Sequence, residues 1–147
     1  SGSCKEGLMQ LVKQNNSAVV EFWDVPTGKV AEIQSMADVL LLPQKKNTGD
    51  SSIPSKLPAY LFSKKPILSI VDDDSAVAHI VRTSNCGFVV APRNSTELNT
   101  SFNNILRMSN DELSSYGKNG YEYGIKHFSK RENLQKVVNV FDLVLRV

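Results

Sequence analysis

The sequence predicts an α/β protein with an open parallel sheet flanked by helices, followed by several helices at the carboxyl end. Four short apolar runs lead to this prediction, at residues 18–23, 39–42, 67–71 and 87–91. These runs lack the polar alternation of a half-exposed strand, and strands that are buried on both faces belong to parallel sheets. Helical spacing of apolar residues separates the runs, so strands and helices alternate along the chain.

Length and composition limit the class of protein. The 147 residues are enough for one domain with a single sizeable core. The formal net charge is +2 without a block of like charges, which gives no reason to expect nucleic acid as a partner. The longest apolar runs are far shorter than the ~20 residues of a membrane span. Cys4 and Cys86 do not suggest a disulfide framework, and Cys86 is expected to pack as a small apolar side chain.

Helices are predicted wherever apolar residues recur at helical spacing. Asn94 or Ser95 is predicted to cap the fourth of these helices, because both residue types are preferred at that position. The residues that show the spacing are Val30, Ile33 and Met36; Leu57, Tyr60 and Leu61; Ala76, Val77, Ile80 and Val81; and Leu98, Phe102, Ile105 and Leu106.

Two further helices are predicted near the carboxyl end. "SNDEL" places Ser109 three residues before Glu112, and "SKREN" places Ser129 three residues before Glu132, so both segments are capping boxes. The last helix is too apolar to stand alone, and we expect it to dock either on the sheet or on a partner domain. Its apolar residues are Leu134, Val137, Val138, Val140, Phe141 and Val144.

A long irregular stretch, residues 43–56, follows a predicted buried strand and precedes a predicted helix. Ligands of open α/β sheets bind at the carboxyl ends of strands, where helix amino termini present unbonded amides. Ser51, Ser52 and Ser55 offer hydroxyl donors there, and Lys56 adds a cation where the helix dipole alone would disfavour one. The stretch therefore suits a phosphate, although a solvated surface loop with an ordinary exposed lysine fits the sequence equally well.

Three consecutive aspartates, Asp72 to Asp74, follow the third apolar run. They resemble the acidic pocket of a response-regulator receiver domain, but no later strand ends in the aspartate and lysine which that site also needs. They also resemble the Asp-x-Asp manganese site of one class of nucleotide-sugar transferases. Further ligands would have to converge on such a site, and His79 lies more than one turn into the next helix. We favour a third interpretation, in which Asp74 or Ser75 caps that helix.

Two histidines and a tryptophan are further candidates for a functional role. His79 and His127 are isolated, without a cysteine or serine nucleophile at a convincing spacing, so both are expected at the surface or at an interface. Trp23 ends the first predicted strand, where it either flanks a ligand or closes the core. The sequence alone favours the core.

Several segments, taken in order, match the motifs of one enzyme family. Ala37 and Asp38 precede an apolar run that ends in Pro43, and "PSKLPAY" and "KKPI" are similar to "PSKLxEYxxxGKPI". "NCGFVVAPRNSTELNTSFNNIL" is similar to "GCGLVVPPGDPEALAEAI", and "VVEFWDVP" is similar to a strand and Val-Pro turn that line a nucleobase. Over roughly residues 5–145, the chain thus resembles the carboxyl-terminal domain of GT-B glycosyltransferases of family 4 (group 1).

The resemblance implies the Rossmann-like half of a two-domain enzyme that transfers a sugar from a UDP- or GDP-sugar during glycan or lipid-linked sugar biosynthesis. No metal or other cofactor is implied, because protein donors neutralise the departing diphosphate. A cytoplasmic location is implied, with peripheral association of the full-length protein with the inner face of the membrane. The residues that correspond to the nucleobase and ribose site are Trp23, Asp24, Val25 and Ala59. Those that correspond to the diphosphate and sugar site are Ser51, Ser52, Ile53, Ser55 and Lys56.

The family commonly carries two glutamates at the positions of Ser51 and Ala59, so the resemblance assigns no catalytic residue. We expect residues 1–147 to be one domain of a larger protein, without the acceptor domain and leading strands, and unable to transfer sugar alone. One alternative is a non-catalytic GT-B-like module that binds a nucleotide or a protein. Loss of both glutamates favours the module, whereas Ser55 and Lys56 favour a donor site. A nucleotide-sugar epimerase is a weaker alternative, because its acid and base are not identifiable.

Overall fold

The computed structural model describes residues 4–15, 19–44 and 53–145. The chain divides into two compact units, Ser1–Val30 and Ala31–Val147. The elements of the described residues are α1 (Lys5–Gln14), α2 (Val30–Met36), β1 (Leu40–Pro43), α3 (Lys56–Phe62), β2 (Ile67–Ile70), α4 (Ala76–Thr83), β3 (Gly87–Val90), α5 (Ser95–Leu106), α6 (Asn110–Phe128) and α7 (Lys130–Leu145).

The second unit contains an open, parallel, three-stranded sheet in the order β1-β2-β3. Leu40 pairs with Ile67, and Ile67 pairs with Gly87 on the other side. Parallel neighbours need a crossover connection, which α3 provides between β1 and β2 and α4 provides between β2 and β3. The predicted α/β class and parallel sheet are confirmed for the apolar runs 39–42, 67–71 and 87–91.

The prediction of a strand at residues 18–23 is wrong for the described part of that run. Residues 19–23 are not assigned to a strand, and the relative exposure of Val19 is 91%. A run rich in Val and Phe has a preference for strands, but cross-strand partners and burial supply most of the stability of a strand. The local composition of this run is therefore not sufficient to predict a strand.

Two apolar clusters lie on opposite faces of the sheet. The first joins β1 and β2 to α3 and α4, and the second joins β2 and β3 to α5. Cys86 is buried in the first cluster, as predicted, and burial raises the pKa of its thiol. The buried members of the first cluster are Leu42, Leu57, Leu61, Ile67, Val71, Val77, Ala78, Ile80, Val81 and Cys86; those of the second are Leu68, Val90 and Ile105.

Helix α6 passes close to the turn before β2. Its glycines Gly117, Gly120 and Gly124 are all buried. A Cβ on Gly117 would lie 2.1 Å from the carbonyl oxygen of Lys64, and a Cβ on Gly124 would lie 3.2 Å from Cβ of Leu61. Glycine therefore allows the backbone of α6 to approach α3 and the following turn.

The predicted helices are confirmed, and most of their caps are as expected. Asn94, rather than Ser95, caps α5 by accepting a hydrogen bond from the amide of Glu97 at 3.0 Å. Ser109 and Glu112 form the full capping box of α6, and the hydrogen bond from the Ser109 amide lowers the pKa of Glu112. At α7, the Ser129 hydroxyl accepts a hydrogen bond from the next turn at 3.3 Å.

Helix α7 leaves five of its apolar side chains largely in solvent. Leu134, Val137, Val138, Val140 and Phe141 are 48–62% exposed. Of the two predicted alternatives, docking on the sheet is not what the described residues show, because these five side chains remain largely in solvent. Docking on a partner domain stays a prediction. None of the described helices is both long enough and apolar enough to cross a membrane.

Candidate functional site

The carboxyl edge of the sheet is the candidate site, because three helices begin there. Helix α4 follows β2 after residues 71–75, and α5 follows β3 after residues 91–94, while α3 follows β1 through the loop predicted to bind phosphate. The amide of Gln44 extends the β1–β2 ladder by donating to the carbonyl of Ile70 at 2.9 Å. This edge is where open α/β sheets bind ligands.

Ser75 resolves the role of the three aspartates, because it caps α4. Its hydroxyl accepts a hydrogen bond from the amide of Ala78 at 3.1 Å, and the residue is 2% exposed. Asp73 forms an ion pair with Arg82 on the same helix. Within the described ranges, no three His, Cys, Asp or Glu side chains lie close enough to hold a metal ion. Of the alternatives Asp74 and Ser75, the cap is Ser75.

Substitution Ser75→Ala is expected to lower the free energy of unfolding by about 1 kcal/mol, as for other helix caps. Asp74→Asn removes one carboxylate from the same segment without touching the cap, so its effect is expected to stay within about 0.5 kcal/mol. Urea unfolding of both variants, followed by circular dichroism, measures the difference. A larger loss for Asp74→Asn than for Ser75→Ala would contradict the assignment of the cap.

The start of α3, at Ser55 and Lys56, differs in its capping from the starts of α4 and α5. Ser55 occupies the cap position of α3, but its side chain makes no capping hydrogen bond. The sequence explains this difference. A capping hydroxyl accepts a hydrogen bond from the amide two or three residues later in the chain. Three residues after Ser55 is Pro58, which has no N–H. Two residues after it is Leu57, whose amide already donates to the carbonyl of Pro54 at 2.9 Å. The exposed Ser55 side chain thus begins α3 without a capping hydrogen bond.

Lys56 is exposed at the start of α3 and forms no hydrogen bond or ion pair with any described residue. Ile53 is 40% exposed, and Ala59 is exposed on the same helix. Ser51 and Ser52 lie outside the described residues. The structure therefore brings together Ile53, Ser55, Lys56 and Ala59 as one accessible segment at the start of α3.

Trp23, Asp24 and Val25 belong to the first unit. Trp23 is 58% exposed, so the expectation that it closes the core is wrong; its indole N–H donates to Glu21 at 2.7 Å. Asp24 accepts a hydrogen bond from Lys5 at 2.7 Å, and that bond together with the charge of Lys5 lowers the pKa of Asp24. Val25 is 42% exposed. The indole and Val25 thus offer an accessible apolar surface beside two carboxylates.

Both histidines lie at the surface, as predicted. His79 is exposed on α4. His127 is exposed at the end of α6, where its ring stacks on Tyr123 with ring centroids 4.2 Å apart. These positions give neither imidazole the oriented nucleophile that general-base catalysis requires.

A cleft that no sequence motif predicts lies at the opposite, amino edge of the sheet. Its volume is about 290 Å³. Lys64 lines part of this cleft. It has a φ of 54°, and its ammonium lies 4.3 Å from the ring centroid of Tyr121. The consecutive lysines Lys64 and Lys65 are the one sequence feature that could have indicated this cleft. The lining residues are Asp38, Lys64, Lys65, Pro66, Asn110, Leu113 and Ser114.

Comparison of the chain with protein-family models, with curated proteins and with solved structures finds no match. A function must therefore be argued from the residues at the carboxyl edge and from the similarity of short sequence segments. The accessible residues and the similar segment coincide at Ile53 to Ala59.

Proposed function

We propose that this chain is the donor-binding half of a glycosyltransferase, with a Rossmann-like fold, and that it binds a UDP- or GDP-sugar. The observation that carries the proposal is the pair formed by Ser55 and Lys56. Their hydroxyl and ammonium groups are accessible at the carboxyl edge of a parallel sheet, while the neighbouring caps Ser75 and Asn94 are already hydrogen-bonded. The resemblance to family 4 GT-B enzymes supports the same two residues as diphosphate ligands.

The chemistry of a diphosphate suits this pair. An ammonium and a hydroxyl can both donate to phosphate oxygens, and such charge-assisted hydrogen bonds are stronger than neutral ones. During transfer, the nucleotide diphosphate leaves with increased negative charge, which a fixed cation stabilises. Lys56 would supply that cation without a bound metal. The resemblance also assigns Ala59, on the same helix, to the nucleoside.

Transfer to an acceptor would need a second domain. Residue 59 is Ala59, where the family commonly has a glutamate. The acceptor would be held by the acceptor domain that the resemblance implies. The exposed apolar face of α7 offers a surface for such a domain. In the proposed assignment, the chain binds the donor and the complete enzyme carries out the transfer.

The test is a titration of the chain with UDP, GDP and UDP-glucose, followed by amide chemical shifts. We expect saturable shifts at Ser55 and Lys56. Lys56→Ala should weaken binding at least about tenfold, since a hydrogen bond to a charged group contributes ~1.5–3 kcal/mol. Lys126→Ala is the matched control, because it removes an exposed lysine at the end of α6. Equal effects of the two substitutions would reject the site.

The second candidate function is a non-catalytic interaction module, which the apolar face of α7 favours. Five side chains at 48–62% exposure are unusual for a helix that functions alone in water. If none of the three nucleotides produces saturable shifts in this chain, the donor-binding proposal is rejected in favour of the module.

A further inference from the structure

The cleft at the amino edge of the sheet carries two opposite charges that the protein leaves unpaired. We propose that it binds a free α-amino acid, whose carboxylate is held by Lys65 and whose ammonium is held by Asp38. A volume of about 290 Å³ is at the small end of ligand pockets, so the cleft fits a molecule much smaller than a nucleotide sugar. It lies at the edge opposite Ser55 and Lys56, and the proposal does not depend on the nucleotide-sugar site.

Strand register places the two charged residues side by side. Leu40, the first residue of β1, pairs with Ile67, the first residue of β2. The amide of Leu40 donates to the carbonyl of Pro66 at 2.9 Å, which continues the ladder to the amino edge. Asp38 and Lys65 each precede their strand by two residues, so they stand at the same level. Neighbouring strands are about 4.8 Å apart, a spacing that suits a ligand whose two charged groups are on adjacent carbons.

The side chains of Asp38 and Lys65 form no hydrogen bond or ion pair with any described residue, including each other. Lys65 is half-buried, and a partly desolvated ammonium gains from an anionic partner. Two neighbouring charged groups are already engaged, because the ammonium of Lys64 lies over the ring of Tyr121 and Glu112 completes the capping box of α6. One carboxylate and one ammonium among the lining residues are therefore open to a ligand.

The two opposite charges select the class of ligand. Asp38 would repel a simple anion, and the two lysines would repel a simple cation. An uncharged molecule would leave both charged groups without a partner. An α-amino acid carries both complementary charges, and charge-assisted hydrogen bonds at its two ends fix its orientation. Pro66 and the partly buried Leu113 add apolar surface for the ligand's side chain.

The beginning of α6 forms the facing wall, to which it contributes Asn110 and Ser114. The amide and hydroxyl groups of these side chains can donate to a carboxylate, and the positive end of the helix dipole favours an anion there. Gly117 has no Cβ and so allows α6 to lie against the carbonyl of Lys64. Because α6 is held against the turn before β2, the cleft exists before a ligand binds.

The first test is a titration of the chain with L-leucine and with L-alanine, followed by amide chemical shifts. We expect saturable shifts at Asp38, Lys65 and Ser114. Two analogues of leucine each lack one charge: 4-methylpentanoate has no ammonium, and 3-methylbutylamine has no carboxylate. Both should bind at least about tenfold more weakly than leucine, because each loses a charge-assisted hydrogen bond. Absence of saturable shifts with both amino acids, or equal binding of leucine and its two analogues, would overturn the proposal.

The second test assigns each charge of the ligand to its residue. Lys65→Ala and Asp38→Asn should each weaken leucine binding at least about tenfold. Asp38→Asn should not weaken binding of 4-methylpentanoate, which has no ammonium for Asp38 to hold. Lys126→Ala and Asp74→Asn are the matched controls, because they remove exposed charges outside the cleft, and they should leave leucine binding unchanged. If Asp38→Asn weakened the binding of leucine and 4-methylpentanoate equally, Asp38 would not hold the ammonium, and the proposal would be rejected.

Discussion

Gly117→Ala is expected to destabilise the protein by at least about 2 kcal/mol, the scale of overpacking in a closely packed site. An added Cβ would lie 2.1 Å from the carbonyl oxygen of Lys64 and 2.5 Å from its carbonyl carbon. Both are backbone atoms, so no side chain can rotate away from the contact. Either α6 or the turn at Lys64 must move, and Lys64 already adopts a φ of 54°.

Gly7→Ala is the matched control for Gly117→Ala. Gly7 is also in a helix, α1, but an added Cβ there would have no atom within 4 Å. Alanine is a better helix former than glycine, so Gly7→Ala should stabilise by up to about 1 kcal/mol. Thermal and urea unfolding of the two variants should thus give effects of opposite sign. An unchanged midpoint for Gly117→Ala would show that α6 does not approach Lys64 this closely.

Leu61→Ala is expected to cost about 2–5 kcal/mol, as for other fully buried leucines. Leu61 has no exposed surface and packs on the first face of the sheet. Gly120 and Gly124 of α6 lie against it, where an added Cβ would be 3.4 Å and 3.2 Å from its atoms. Two helices and the sheet therefore enclose the side chain, and they limit how far the cavity can collapse.

Leu106→Ala makes the same chemical change at a position that is 80% exposed on α5. Its effect is expected to stay within about 0.5 kcal/mol, because little apolar surface leaves water at that position. Chemical unfolding of both variants, with the slope of the transition recorded, separates a loss of packing from a change in the unfolded chain. Similar losses for the two substitutions would contradict the packing of α3 against α6.

Much of the candidate site could be predicted because it depends on neighbours in the chain. The Ser75 cap, the Asn94 cap and the capping box at Ser109 each involve residues within one helical turn. The uncapped state of Ser55 likewise follows from Pro58, three residues later. Nothing local placed Trp23 at the surface, since an apolar residue at the end of an apolar run is equally compatible with a core position.

Sequence patterns were sufficient for the α/β class, three of the four expected strands and the helices between them, because periodicity and caps are properties of a few consecutive residues. Tertiary contacts decided the rest. Whether residues 19–23 pair with a strand, whether Leu41 faces solvent, and how closely Gly117 approaches Lys64 all depend on residues distant in the chain. A pattern can record that a segment is apolar, but burial and pairing require a partner, and only the folded chain determines where that partner lies.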